Sequence, residues 1–226
     1  MGCKESVTTA SGFAWYASGS NIMIEKEKMV QSSTEGVGVS ATAPYYTSYK
    51  QALAYVDEQR YEEALQLFDH CIAIERRHAA LLYGRAVTLL ALGTYRQACC
   101  DLFKSLALDK AQPEAWKHLA YLLFMLGKDE PAEKTLKKAL ERFPDYAPLY
   151  CVLADIYLDL GEFDKAHEAI EQALRLDPQN PEPHSKLAMY YGARGDMEGL
   201  QQECKTLEQL DAALAEQIRT LFFENQ

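Results

Sequence analysis

Alanine returns every 34 residues along most of this chain, at Ala52, Ala86, Ala120, Ala154 and Ala188. A second series keeps step with it: Ala64, Ala98, Ala132 and Ala166, with Leu200 in the fifth place. A third is Gly93, Gly127, Gly161 and Gly195, with Gln59 in the first place. Three registers held in phase over five copies leave little freedom of architecture. A fixed period of this length marks a supersecondary unit that cannot bury its apolar face alone, so copies must stack to build a core. Stacks of this kind offer extended surfaces to other molecules.

The copies run 45–78, 79–112, 113–146, 147–180 and 181–214, and each reads as two helices. In the fourth, the first helix covers Tyr150 to Leu158, with Leu153, Tyr157 and Leu160 at helical spacing. Gly161 stops it by accepting a left-handed backbone. The second helix runs from Phe163 to Leu176 with Ala166, Ile170, Ala173 and Leu174 on one face, and Asp177-Pro178 ends it. The alanine registers follow from packing. Ala154 and Ala166 let paired helices approach closely, while Phe163 and Ile170 fill the adjoining gaps.

The motifs of these copies resemble the tetratricopeptide repeat. The third copy carries Trp116, Leu119-Ala120, Gly127, Ala132, Ala139 and Pro144. The fourth carries Tyr150, Leu153-Ala154, Tyr157, the run Gly161-Glu162-Phe163-Asp164-Lys165-Ala166, Ala173 and Pro178. Leu82, Ala86 and Gly93-Thr94-Tyr95-Arg96-Gln97-Ala98 represent it in the second copy, and Tyr61-Glu62-Glu63-Ala64 and Phe68 in the first. The departures are Gln59 and Arg76 in the first copy, Asp129 and Pro131 in the third, and Met197 and Leu200 in the fifth. The resemblance implies an all-α, right-handed helical-repeat solenoid of antiparallel helix pairs. Five repeats are expected over 45–212. A capping helix is expected over 213–226, where Leu214, Ile218, Leu221 and Phe222 form an apolar stripe. Asp211 is the residue that would separate this cap from the helix before it.

Residues 1–44 are rich in Ser, Thr, Gly and Ala and are expected to be disordered or weakly ordered, with ordered structure starting at Pro44. Met1-Gly2-Cys3-Lys4-Glu5-Ser6 matches the pattern of N-myristoylation, which leaves a lipid anchor at Gly2 and Cys3 as one reading and an unstructured leader as the other. No apolar run is long enough to span a membrane. The net charge of −10 argues against a nucleic-acid partner, since phosphate binding needs a basic footprint. Six cysteines lack the spacing of a zinc site or a disulfide framework, and free thiols point to a reducing, cytoplasmic setting. The five histidines are scattered over different copies, and no nucleophile elbow, phosphate loop or metalloprotease motif is present. The expectation is therefore no enzyme, no metal and no cofactor.

The resemblance also implies where a partner would lie, because the first helices of such repeats line a concave groove. Positions 2, 5, 6, 9 and 12 of each copy form one stripe of a helix. From these the candidate residues are Tyr46, Tyr49, Lys50, Tyr83, Val87, Lys117, His118, Tyr121, Phe124, Asp155 and Lys186. Tyrosine is expected to matter most, since it joins a large contact area to a polar tip. The family's clamp for C-terminal carboxylates uses Lys and Asn at set positions. Those positions here hold Tyr49, Leu53, Gly84, Glu114 and His118, so that clamp is not expected. The function implied is a non-catalytic scaffold or adaptor that holds a protein or peptide segment in its groove. The alternatives are an escort chaperone of the bacterial type III secretion sort, which usually has three repeats, and the regulatory subunit of an enzyme.

Overall fold

A computed structural model of the chain describes residues 39–224. The acylation pattern at Gly2 and Cys3, and the expectations for the remainder of the first 38 residues, lie outside that range. Among the described residues the structure is all-α, with no strand. Two helices fall in each copy: α1 (Tyr46–Asp57) and α2 (Tyr61–Ile74), α3 (Ala79–Ala91) and α4 (Tyr95–Leu108), then α5 (Pro113–Met125) and α6 (Asp129–Leu140). The series continues with α7 (Ala147–Asp159) and α8 (Phe163–Leu176), then α9 (Pro181–Arg194) and α10 (Met197–Leu210). A short α11 (Ala212–Arg219) and a π turn (Thr220–Glu224) close it.

The helix ends follow from local chemistry. Proline stands in the first turn of α5, α7 and α9, where its missing N–H costs nothing. The Asn180, Asp196 and Asp211 side chains accept the backbone N–H groups of Glu182, Gly199 and Leu214, each at 3.0 Å. Asp211 thereby breaks α10 from α11. The third sequence register marks the turn inside each pair: Gly93, Gly127, Gly161 and Gly195 have φ of 72°, 67°, 72° and 73°. Gln59, in the same place in the first pair, is forced to φ 61°. The turn geometry thus persists where the glycine does not, at a cost in strain.

The two alanine registers are buried throughout, and so is Leu200. Close approach is marked at Gly84, where a Cβ would lie 2.5 Å from the Phe68 ring. The ring of Phe68, fully buried, occupies the space that any other residue at position 84 would need. Gly192 is related to Phe222 in the same way, with a Cβ-to-ring distance of 2.3 Å. This contact helps to seat the C-terminal cap on α9.

The packing divides the described residues into two compact units, one ending at Lys137 and the other beginning at Lys138, so the division falls within α6. In the first unit α1 packs on α2, α2 on α3, α3 on α4, and α4 on α5. Its core includes Phe68, Leu81, Tyr49, Cys71 and Val56. Val39 belongs to that core as well, at 6% exposure. Packing is therefore under way before Pro44, where the sequence reading placed its start. A turn closed by Ala43 N–H on the Ser40 carbonyl (2.9 Å) leads from Val39 into α1. In the second unit α7 to α11 pack in chain order, and α9 also touches α7 and α11.

Candidate functional site

In the first unit the first helices of successive pairs adjoin, α1 beside α3, and the Tyr83 ring of α3 stacked on the His118 ring of α5. The ring centroids are 5.8 Å apart at an interplanar angle of 19°, and the Tyr83 hydroxyl lies 3.3 Å from His118 Nδ1. This contact fixes Tyr83, which stays half-buried, and closes over His118, which is 4% exposed. Burial, with the Lys117 charge adding to it, holds the His118 imidazole well below its ordinary value of 6.5. The ring is neutral at neutral pH.

Of the eleven residues expected to face a partner, the nine in the first unit separate into two groups. Tyr46, Tyr83, Tyr121 and Phe124 are half-buried and Lys50 is exposed. These present contact area on α1, α3 and α5. Tyr49, Val87, Lys117 and His118 are buried at 4%, 6%, 6% and 4% exposure. The expectation that Tyr49 faces a partner is corrected by its packing: the ring meets Phe68 edge-on, with centroids 6.3 Å apart. Its place in the core follows from the Gly84 hollow. Phe68 can lie deep against α3 because position 84 lacks a Cβ, and Tyr49 closes over it. Gly84 itself, which the helical stripe also assigned to the groove, is buried beneath that ring.

Asp155 and Lys186 belong to the second unit, on α7 and α9. They form an ion pair, with Lys186 Nζ 3.0 Å from Asp155 Oδ1, and their side chains are 13% and 1% exposed. The pair is an internal tie between first helices rather than a free acid and a free base. Asp155 Oδ2 is buried and accepts no hydrogen bond among the described residues. Burial outweighs the nearby lysine and pushes the Asp155 carboxyl up to about 7.

Two polar constellations escaped the sequence reading. Arg85 of α3 donates from Nε and Nη2 to Asp101 of α4 at 2.7 and 3.0 Å, and from Nη1 to Asp69 of α2 at 2.6 Å. His184 of α9 bridges Glu203 of α10 and the Pro178 carbonyl. The helix-borne partners stand 16 to 19 residues apart on different helices, so no short motif announces them. Only the charge of Asp101 on the buried face of α4 hints at a buried partner.

Neither constellation has the form of a catalytic centre. The Cys71, Cys99 and Cys204 thiols are pushed up by burial, the opposite of what activates a nucleophile. Among the described residues no group of three His, Cys, Asp or Glu side chains could hold a metal ion. No helix among them is long and apolar enough to cross a membrane.

Comparison with known proteins agrees with this architecture. Models of the tetratricopeptide repeat match residues 49–113, 114–146 and 132–190. The crystal structure of TTC0263, a thermophilic protein of this kind in Thermus thermophilus, is 28% identical with a TM-score of 0.69, covering 78% of this chain and 98% of that one. A MamA structure (residues 41 to the end) from Desulfovibrio magneticus shares the fold with a TM-score of 0.62 at 21% identity, covering 76% of this chain and 98% of that one. Among curated proteins, the BBSome complex member BBS4 of Mus musculus is 28% identical over 146 residues, 65% of this chain and 28% of that protein. Tetratricopeptide repeat protein 13 of Homo sapiens is 28% identical over 152 residues, 64% of this chain and 17% of that protein. The human protein O-mannosyl-transferase TMTC1 is 32% identical over 130 residues, 58% of this chain and 14% of that protein. The chain thus spans under a third of the length of these curated relatives. Its repeated helix pairs, their buried alanine registers and these matches place the chain in the tetratricopeptide repeat family, whose members serve as scaffolds for protein–protein interaction.

Proposed function

We propose that this protein is a non-catalytic adaptor, and that the face made by α1, α3 and α5 captures an extended or helical segment of a partner protein. One observation carries the reading: Tyr46, Tyr83, Tyr121 and Phe124, half-buried on three successive first helices, offer aromatic area that the core does not consume. Lys50, exposed on the same helix as Tyr46, supplies a charge that would set direction. Apolar anchors in shallow pockets with a few polar groups between them are how grooves hold such segments. The relatives support it at the level of their names, since BBS4 is named as a member of a complex. The transferase relative does not argue for catalysis here, because only 14% of it is matched.

The test is recovery of partners from a native lysate with the Tyr83→Ala/Tyr121→Ala variant, first shown to keep the helical signal and melting curve of the parent. Truncating aromatic anchors of an interface costs about 2 kcal/mol or more each, so the yield should fall by over tenfold. Equal recovery by the folded variant would move the binding surface away from this face.

A further inference from the structure

His184 stands where two acceptors meet. Its Nδ1 lies 2.9 Å from Glu203 Oε2 on α10, and its Nε2 lies 3.0 Å from the carbonyl oxygen of Pro178 in the loop between α8 and α9. The His184 and Glu203 side chains are 15% and 14% exposed, whereas the Pro178 carbonyl lies in an exposed loop. A carboxylate and a backbone carbonyl accept hydrogen bonds and do not donate. A neutral imidazole has one N–H and one lone pair, whereas the imidazolium has two N–H groups. The geometry is therefore that of the charged ring, donating to both oxygens at once.

We propose that His184 is a proton-operated clasp, closed when protonated, that fastens the start of α9 to α10 and to the loop before it. The gripped loop matters to the helix. Asn180 within it caps α9 by accepting from the Glu182 N–H at 3.0 Å, and donates in turn to Asp177 at 3.1 Å. When His184 loses its proton, the N–H that remains stays with the carboxylate, where attraction is stronger. The Nε2 lone pair then faces the lone pairs of the Pro178 carbonyl, and that contact opens. The loop and its cap are released together.

The charges around α9 leave Glu203 in control of this proton. On α10, Glu203 faces His184, and it adds to burial, the larger cause, in raising the Tyr191 phenol and the Cys204 thiol. On α8, His167 and Arg175 both face Glu171, at 3.7 and 3.8 Å. On α7, Asp155 is engaged by Lys186. On α11, Arg219 pairs with Glu208 of α10 and reaches Glu216 at 3.9 Å. On α9 itself, Glu182 adds to the field at Asp155, and Arg194 lies at the Tyr190 hydroxyl, 3.3 Å away. The Glu203 hydrogen bond, with the Pro178 carbonyl adding to it, outweighs burial and raises the His184 imidazole above 6.5. The stabilisation it brings is fully present below 6.5 and is lost as pH rises through the raised value.

An NMR titration of the full chain tests this, with the His184 ring signal assigned by its absence in His184→Gln. The expected midpoint lies above 6.5, and the amide signals of Gln179, Asn180 and Glu182 should shift with that same midpoint. In Glu203→Gln the ring midpoint should fall to 6.5 or below. A wild-type midpoint at or below 6.5, or loop amides that stay flat through it, would overturn the clasp. So would an unchanged midpoint in a folded Glu203→Gln chain. Should that variant fail to fold, the wild-type loop signals decide alone.

Discussion

Arg85 holds two carboxylates with one guanidinium, and the one it grips with two hydrogen bonds, Asp101, is 3% exposed. Removing the cation would leave a buried charge with only the exposed Lys104 ammonium, 3.6 Å away, which costs more than the pair contributes. Arg85→Ala should lose about 3 kcal/mol in urea unfolding, and Arg85→Lys should recover part of it, since an ammonium cannot match the fork. A loss under about 1 kcal/mol in the alanine variant would mean that Asp101 finds other donors. His118 is the acid-sensitive counterpart of His184. Its folded value is depressed below 6.5, so the stability it contributes is present above pH 6.5 and lost as pH falls toward the folded value. Asp155 has the opposite sign: raised to about 7, it contributes stability on the acid side that is lost as pH rises through that value. Denaturant midpoints measured at pH 7.5 and 5.5 should fall less on acidification in His118→Gln than in the parent. An identical fall in both would show that His118 is not held neutral by the fold.

At the scale of the element, the turn inside each helix pair is the recurring device. Four of the five turns place glycine in the left-handed region, and the first places Gln59 there at φ 61°. A non-glycine residue in that conformation costs about 1–2 kcal/mol. Gln59→Gly should therefore raise stability by roughly 1 kcal/mol after the added freedom of the unfolded chain is subtracted. Gly161→Ala should lower it by a similar amount, although no atom stands within 4 Å of the new methyl group. Thermal melts of the two variants should move in opposite directions. Movement in the same direction would mean that the strain at these turns is not what separates them.

For the whole molecule, the question is where the folded chain begins. Val39 lies in the same core as Tyr49 and Phe68. A chain starting at Pro44 should be less stable than one starting at Val39 by about 1.5 kcal/mol, the value of burying one valine side chain. Equal midpoints for the two truncations would show that the Val39 contact carries no stability. Matches to the family models extend from residue 49 to residue 190. The cap at the C-terminal end rests on contacts such as the Phe222 ring over Gly192.

The sequence by itself determined the helix pairs, their turns and their close-packed positions. These rest on local causes: a 34-residue period, glycine or its substitute at a left-handed turn, proline in a first turn, and alanine where two helices approach. It also named the first helices as the face to examine. Only the tertiary structure decided which side chains of that face turn inward. Tyr49 and Tyr83 share a register, yet one closes over Phe68 in the core and the other stays half-buried against His118. Position along a helix gives direction within about one side chain's width, and the choice between core and surface depends on what a neighbouring helix leaves empty. The ion pair of Asp155 with Lys186, the Arg85 fork and the His184 clasp were illegible for the same reason. Each joins residues from different helices, and their chemistry exists only once those helices are brought together.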